Sequence, residues 1–177
     1  ADADADADTA VVESEEDQCV YTFYVSTGSG FSAGTDSKIG LTLGDALGGQ
    51  IRIDDLVAWG GSMGPNHDYF ERGNLDIFTG RGPCGVVTPP LCRLNLTSDG
   101  TGPFPGWYCE YVQVTATGPL LPCATTIFYV SQWLAINESP YQLYAYLDGC
   151  DLALARVPGE PFVVGHRPDA VKSSAAM

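Results

Sequence analysis

Residues 19–45 read CVYTFYVSTGSGFSAGTDSKIGLTLGD. Two short alternating runs flank a loop made mostly of Gly, Ser, Thr and Asp. In the first run Val20, Thr22 and Tyr24 alternate with Tyr21, Phe23 and Val25. In the second, Ile39, Leu41 and Leu43 are separated by small or polar residues. Successive side chains of a strand point to opposite faces, so a period of two marks strands with one buried face. The segment predicts strand, loop, strand, with no room for a crossover helix.

The same pattern continues along the chain. QIRIDDLVAW, NLDIFTG, LCRLNLTS, WYCEYVQVTATG, ATTIFYVSQWL and YQLYAYLDGC follow. These runs are rich in Val, Ile, Thr, Tyr and Phe and are bounded by Gly, Pro, Asn and Asp. No segment sustains a 3.6-residue period. Eight such runs predict an all-β fold, an eight-stranded antiparallel sandwich of two sheets. The domain is expected to span residues 19–150. Residues 1–18, which begin ADADADAD, are acidic and poor in apolar side chains, and are expected to be a disordered tail. Residues 151–177 hold three prolines and one short apolar piece, Phe162-Val163-Val164, and are expected to be a loosely ordered tail.

Charge narrows the function. The 177 residues carry 22 acids against 8 bases, and eight of those acids lie in residues 1–18. A chain this acidic repels phosphate backbones, so nucleic acid is excluded as a partner. Anionic membranes are repelled as well, unless a bound cation reverses the local sign. No apolar run reaches the roughly 18 residues that span a bilayer. The six cysteines form no C-x-x-C pair and lie far from either histidine at zinc-ligand spacing, so disulfides are expected. Cys84 and Cys92 flank a proline-containing excursion, Cys19 and Cys150 open and close the strand region, and Cys109 and Cys123 remain. The expected pairs Cys84–Cys92, Cys19–Cys150 and Cys109–Cys123 are one of about 15 connectivities. Two glycosylation sequons, at Asn95 and Asn137, agree with a secreted or endomembrane location and a leader already removed. Pro140, directly after the second sequon, makes it the poorer acceptor.

Residues 60–64, GGSMG, match the G-x-S-x-G pattern of serine hydrolases, with His67 close by. That pattern works at a turn between a strand and a helix. Here Gly64-Pro65-Asn66-His67-Asp68 follows, which reads as a long loop. The other histidine, His166, lies in the C-terminal tail. Ser62 is therefore expected to be incidental, and no catalytic residue is assigned. Asp54-Asp55 is an adjacent pair whose side chains would diverge on a strand, and reads as a solvated edge.

In its run order the chain resembles a PLAT (LH2) domain, the C2-like sandwich found in polycystin, lipoxygenases, some lipases and bacterial alpha-toxin. It is most similar to the small stand-alone PLAT proteins of plants linked to stress responses. The resemblance is carried by residues 19–45, by IRIDDLVAWGGSMGPNHDYFERGNLDIFTGRGPC, by LCRLNLTSDGTGPFPGWYCEYVQVTATG, and by the closing QWLA and SPYQLYAYLDGC. It covers residues 19–150. Such a resemblance implies a non-catalytic module that binds lipid or membrane surfaces or an apolar ligand, in several members with calcium. A protein partner, or a cell-wall-associated stress role without lipid, is the alternative.

The positions that match the family's calcium loops are Gly34, Thr35 and Asp36, then Asn66 and Asp68, with Asp99 in a third loop. The family's acid before the following aromatic strand is absent, since Pro105 and Gly106 stand there. Calcium takes about six to eight oxygens, and three converging carboxylates would supply the charged part of such a shell. Phe31, Tyr69 and Phe104 sit in the same loops and are the candidates for contact with a membrane or ligand. Phe70 and Trp107 are expected to enter the core.

Overall fold

A computed structural model describes residues 18–83, 90–119, 121–155 and 159–167. The expected N-terminal tail, apart from residue 18, lies outside the described residues, as do Cys84 and most of its excursion. The strands are β1 (Gln18–Thr27), β2 (Ile39–Gly44), β3 (Gln50–Ile53), β4 (Leu75–Pro83), β5 (Arg93–Ser98), β6 (Trp107–Gly118), β7 (Leu121–Leu134), β8 (Tyr144–Asp148) and β9 (Phe162–Val164). They form a five-stranded sheet in the order β4-β1-β6-β7-β9 and a four-stranded sheet in the order β3-β2-β5-β8.

Alternation does what the sequence predicts. Along β1, Cys19, Tyr21, Phe23 and Val25 are buried, and they meet Phe78, Val114 and Phe128 from their own sheet. The four-stranded sheet answers with Leu41, Leu43, Leu94, Leu96 and Ala145. Each large apolar side chain so buried contributes roughly 1.5–3 kcal/mol, which makes the interface between the sheets the main source of stability.

Two segments differ from expectation. Leu56–Gly60 is a short helix, α1, and does not continue a strand. The Asp55 carboxylate accepts the Ala58 amide as its N-cap, at 3.2 Å. Leu56 and Trp59, three residues apart, share one face of the turn. Leu56 is fully buried, and the Trp59 ring lies over Gly80 of β4, where even a Cβ would come within 2.4 Å of it. The residues after 150 are not wholly a loose tail. Phe162–Val164 pairs in parallel with β7, opposite Thr126–Phe128, and buries Phe162 and Val164.

The disulfide framework is also corrected. Cys92 bonds Cys150, with Cα atoms 4.9 Å apart, so neither Cys84–Cys92 nor Cys19–Cys150 forms. The register explains the choice. Arg93 of β5 faces Asp148 of β8, so the residue before β5 and the second residue after β8 lie side by side. Cys19 is disulfide-bonded too. Cys109 and Cys123 are free thiols. Cys109 faces Gln132, whereas Cys123 lies toward the other end of β7, next to Ala124, which faces Ala116. The antiparallel ladder holds them apart.

Candidate functional site

Three loops meet at one end of the sandwich: residues 28–38, 61–74 and 99–106. Backbone and small side chains knit them together. The Thr35 amide donates to the Phe70 carbonyl at 3.0 Å, and the Thr35 hydroxyl donates to the Pro105 carbonyl at 2.9 Å. The Ser37 hydroxyl donates to the Thr101 carbonyl at 2.6 Å. Gly34 passes so close to the second loop that a Cβ would sit 2.9 Å from the Arg72 nitrogen. Gly34 and Thr35 thus act as scaffold, the first by lacking a side chain and the second by bridging loops.

The middle loop is pinned from below by Asp76, which is fully buried. One of its oxygens accepts the Phe70 amide at 2.7 Å, and the other lies 2.6 Å from His67 Nε2. Phe70 takes a positive φ of 63°, a backbone shape that favours glycine. It is held there by its ring, which stacks on Phe78 and meets Trp107 edge-on. Trp107 in turn donates to the Thr27 hydroxyl at 2.9 Å. This turn of the chain swings Asp68 and Glu71 to the same side.

The result is a cluster of Asp36, Asp68 and Glu71, with one carboxylate oxygen of each within 4.8 Å of the others. Asp36 and Asp68 are exposed and Glu71 is half-buried. Burial first, then the charges of Asp68, Asp36 and Asp76, push Glu71 above the ordinary glutamate range, and a hydrogen bond with Asp68 adds to this. Carboxylates crowded in this way can share a proton or hold a cation. Three hard oxygen donors from two loops suit calcium, with backbone carbonyls and water to complete the shell. A shallow cavity of about 210 Å³ opens beside them, bordered by Thr35, Asp36, Lys38, Asp55 and His67.

Asp99 stands apart from this cluster. Its Oδ1 accepts the Lys38 amide, the Thr101 amide and the Thr101 hydroxyl at 2.9, 3.1 and 2.7 Å. Burial pushes this carboxyl up, but those hydrogen bonds outweigh it and hold Asp99 below the usual aspartate value. Its first role is to close a turn. Asn66 is exposed just before His67. Glu71 is the ligand candidate that the sequence reading missed. Its signal was faint: an acid three residues after Asp68, in a loop whose path depends on a rare conformation at Phe70.

The aromatic candidates separate in the same way. Phe31 is 88% exposed and Phe104 is 87% exposed, on the two outer loops. Together with Trp133 and Asn137 they border a groove of about 250 Å³. Ile136 and Tyr141 are exposed on the neighbouring loop. Tyr69, expected at the surface, packs instead against the core, near Phe78, and its hydroxyl accepts the Met63 amide at 3.0 Å. Ser62 donates its hydroxyl to the Gly60 carbonyl at 2.8 Å, and His67 is turned to Asp76, so each is engaged elsewhere and the two are not hydrogen-bonded to each other.

The chain is similar to known proteins in sequence and in fold. The profile of the Embryo-specific protein 3 family (ATS3) matches residues 7–135. PLAT domain-containing protein 1 of Arabidopsis thaliana is 51% identical over 147 residues, which are 82% of this chain and 80% of that protein. PLAT domain-containing protein 3 of the same plant is 55% identical over 104 residues, 58% of this chain and 98% of its own length. Among solved structures, a Delta413-417:GS variant of LOX superposes with a TM-score of 0.51 at 21% identity, over 75% of this chain and 16% of that one. That last likeness is one of fold.

Proposed function

The chain belongs to the PLAT-domain family, in the stand-alone form found in plants, and we propose that it is a non-catalytic, secreted module that docks on lipid surfaces through its three-loop end, with calcium held by Asp36, Asp68 and Glu71. One observation carries this reading. The carboxylate cluster and the two most exposed phenylalanines stand at the same end of the sandwich, with Phe31 five residues before Asp36 on one loop, and with the Phe104 loop alongside, where a Cβ at Gly102 would lie 3.6 Å from the Asp36 Cβ.

The physical sequence is short. Without a cation, the clustered carboxylates repel an anionic surface. A bound calcium ion supplies the opposite charge and a point of attachment for headgroup oxygens. Phe31 and Phe104 then exchange water for the interfacial region, where aromatic rings are favoured. Each fully transferred ring is worth roughly 1.5–3 kcal/mol, which makes two rings a weak anchor that needs the cation as a second signal. The formed Cys92–Cys150 bond supports passage through an oxidising compartment.

Co-sedimentation with vesicles of phosphatidylcholine and phosphatidylserine tests the proposal. Binding is expected with calcium, and its loss is expected on chelation or in the Phe31→Ser/Phe104→Ser double variant. A chain that binds no vesicle in either condition overturns lipid docking and favours a protein partner on the same loops.

A further inference from the structure

The outer face of the four-stranded sheet, away from the three loops, carries a second feature. Its side chains form three rungs across the strands. Gly40, Thr97 and Tyr144 make the rung nearest the loop end. Arg52, Thr42, Asn95 and Tyr146 make the middle rung. Gln50, Gly44, Arg93 and Asp148 make the far one. Gly44, two residues after Thr42 on β2, has no side chain and so leaves a trough beside Thr42. The groove there, about 400 Å³, is bordered by Thr42, Gln50, Arg93, Asn95 and Tyr146.

Its chemistry is polar and locally balanced. Arg52 pairs with Asp54 at 2.7 Å and Arg93 with Asp148 at 3.3 Å, so neither guanidinium is left for a phosphate. Tyr146, 54% exposed, stands directly across from Asn95. Asn95 is the unusual member. Its Oδ1 is buried and without a hydrogen-bond partner among the described residues. Asn95 as a whole borders the groove. Asn95 also begins the sequon Asn95-Leu96-Thr97, with no proline in or directly after it.

We propose that Asn95 carries an N-linked glycan and that its first sugar lies in this groove against the Tyr146 ring. In the transfer, Asn95 Nδ2 bonds to the anomeric carbon of the first sugar and gives up one proton to the transferase. The bond from that carbon to the diphosphate of a lipid-linked oligosaccharide donor breaks, and the lipid diphosphate leaves as the anion. No electrons change hands beyond these pairs. A neutral sugar suits a groove whose charges are already matched. Its hydroxyls meet Gln50, Arg93 and Thr42, and the apolar face of its ring covers Tyr146. Asn137 contrasts with this. It borders the groove between Phe31 and Phe104, where a glycan would stand in the way of docking.

The proposal rests on the secretory route of the preceding reading but not on its lipid docking. The experiment is glycopeptide mass spectrometry on the full chain secreted from plant cells behind a cleavable leader. Asn95 is expected to be occupied in most molecules, and Thr97→Ala is expected to remove the sugar while vesicle binding stays unchanged. Vesicle binding thus reports on docking separately, and recovery of the native protein from cell-wall fluid reports on the route. In the glycosylated chain Tyr146→Ser is expected to lower the thermal midpoint by about 2–4 °C. In the Thr97→Ala or Asn95→Gln background the same change is expected to shift it by less than about 1 °C. An unmodified Asn95, whether the groove is then bare or takes a free saccharide or a second chain, overturns the attachment. An equal Tyr146→Ser shift with and without the glycan overturns the seat.

Discussion

Asp76 and the trio Asp36, Asp68 and Glu71 stand at the same end of one sandwich, yet the fold treats them in opposite ways. Asp76 is sealed from water, with the Phe70 amide on one oxygen and His67 on the other. The trio faces outward and crowds its own kind. Burial of a carboxylate is tolerated only when each oxygen finds a donor. Asp76 has such donors and is used to shape the loop. The trio lacks a basic partner in the cluster and is left with charge to spend on something outside the chain. The difference separates a residue that builds the site from residues that form it.

The sharpest break of that comparison is Asp76→Ala. It orphans the buried Phe70 amide and frees the middle loop, and should cost about 2–4 kcal/mol in urea unfolding. It should weaken calcium binding as well, since Asp68 and Glu71 lose their common support. Asp36→Asn should do the reverse. Calcium affinity by calorimetry should fall by at least about tenfold, or about 1.4 kcal/mol, with the metal-free unfolding midpoint unchanged. Equal effects of the two variants on both readouts would erase the distinction drawn here.

Glu71→Gln sharpens it further. A carboxyl raised above its unfolded value binds its proton more tightly in the folded chain. The metal-free protein therefore gains stability as pH falls through the raised value toward the ordinary one, and loses it as pH rises. The Gln variant should melt slightly higher than the parent at neutral pH. That advantage should fade as the parent's Glu71 takes up its proton. Calcium should bind more weakly to the parent over the same pH fall, because proton and cation compete for one group. The smallest effect is expected of Asp99→Ala. The turn it closes should weaken by about 1 kcal/mol or less, while calcium affinity should stay within about twofold of the parent. A tenfold loss there would place Asp99 among the ligands.

Much of the fold was legible because period-two patterning states which face of each strand is buried. Val20, Thr22 and Tyr24 alternate with Tyr21, Phe23 and Val25 in the sequence, and the fold buries the second set together with Cys19. Leu56–Trp59 was misjudged because four residues are too few to show a helical period, and the deciding contact, Trp59 over Gly80, is made by a distant strand. The exposed Phe31 and Phe104 were legible from the Gly and Pro around them. Tyr69 was not, since a ring beside Asp68 at a loop tip reads as exposed until Phe78 is seen beneath it. The cysteines were paired by position along the chain, whereas sheet neighbours decide: β5 lies against β8, and so Cys92 meets Cys150.

The sequence by itself determined the all-β class, the positions along the chain of eight of the nine described strands, the acidic imbalance and the identity of two of the three clustered carboxylates. Those properties are written in local patterns of side chains, which a linear reading can follow. The tertiary structure alone decided that Glu71 joins Asp36 and Asp68 while Asp99 turns aside to cap its own loop. It also decided that Cys92 bonds Cys150, and that Asn95 faces a groove while Asn137 faces the loop tip. Each of these depends on which distant segments are brought within a few ångströms, and that distance is set by the packing of two sheets.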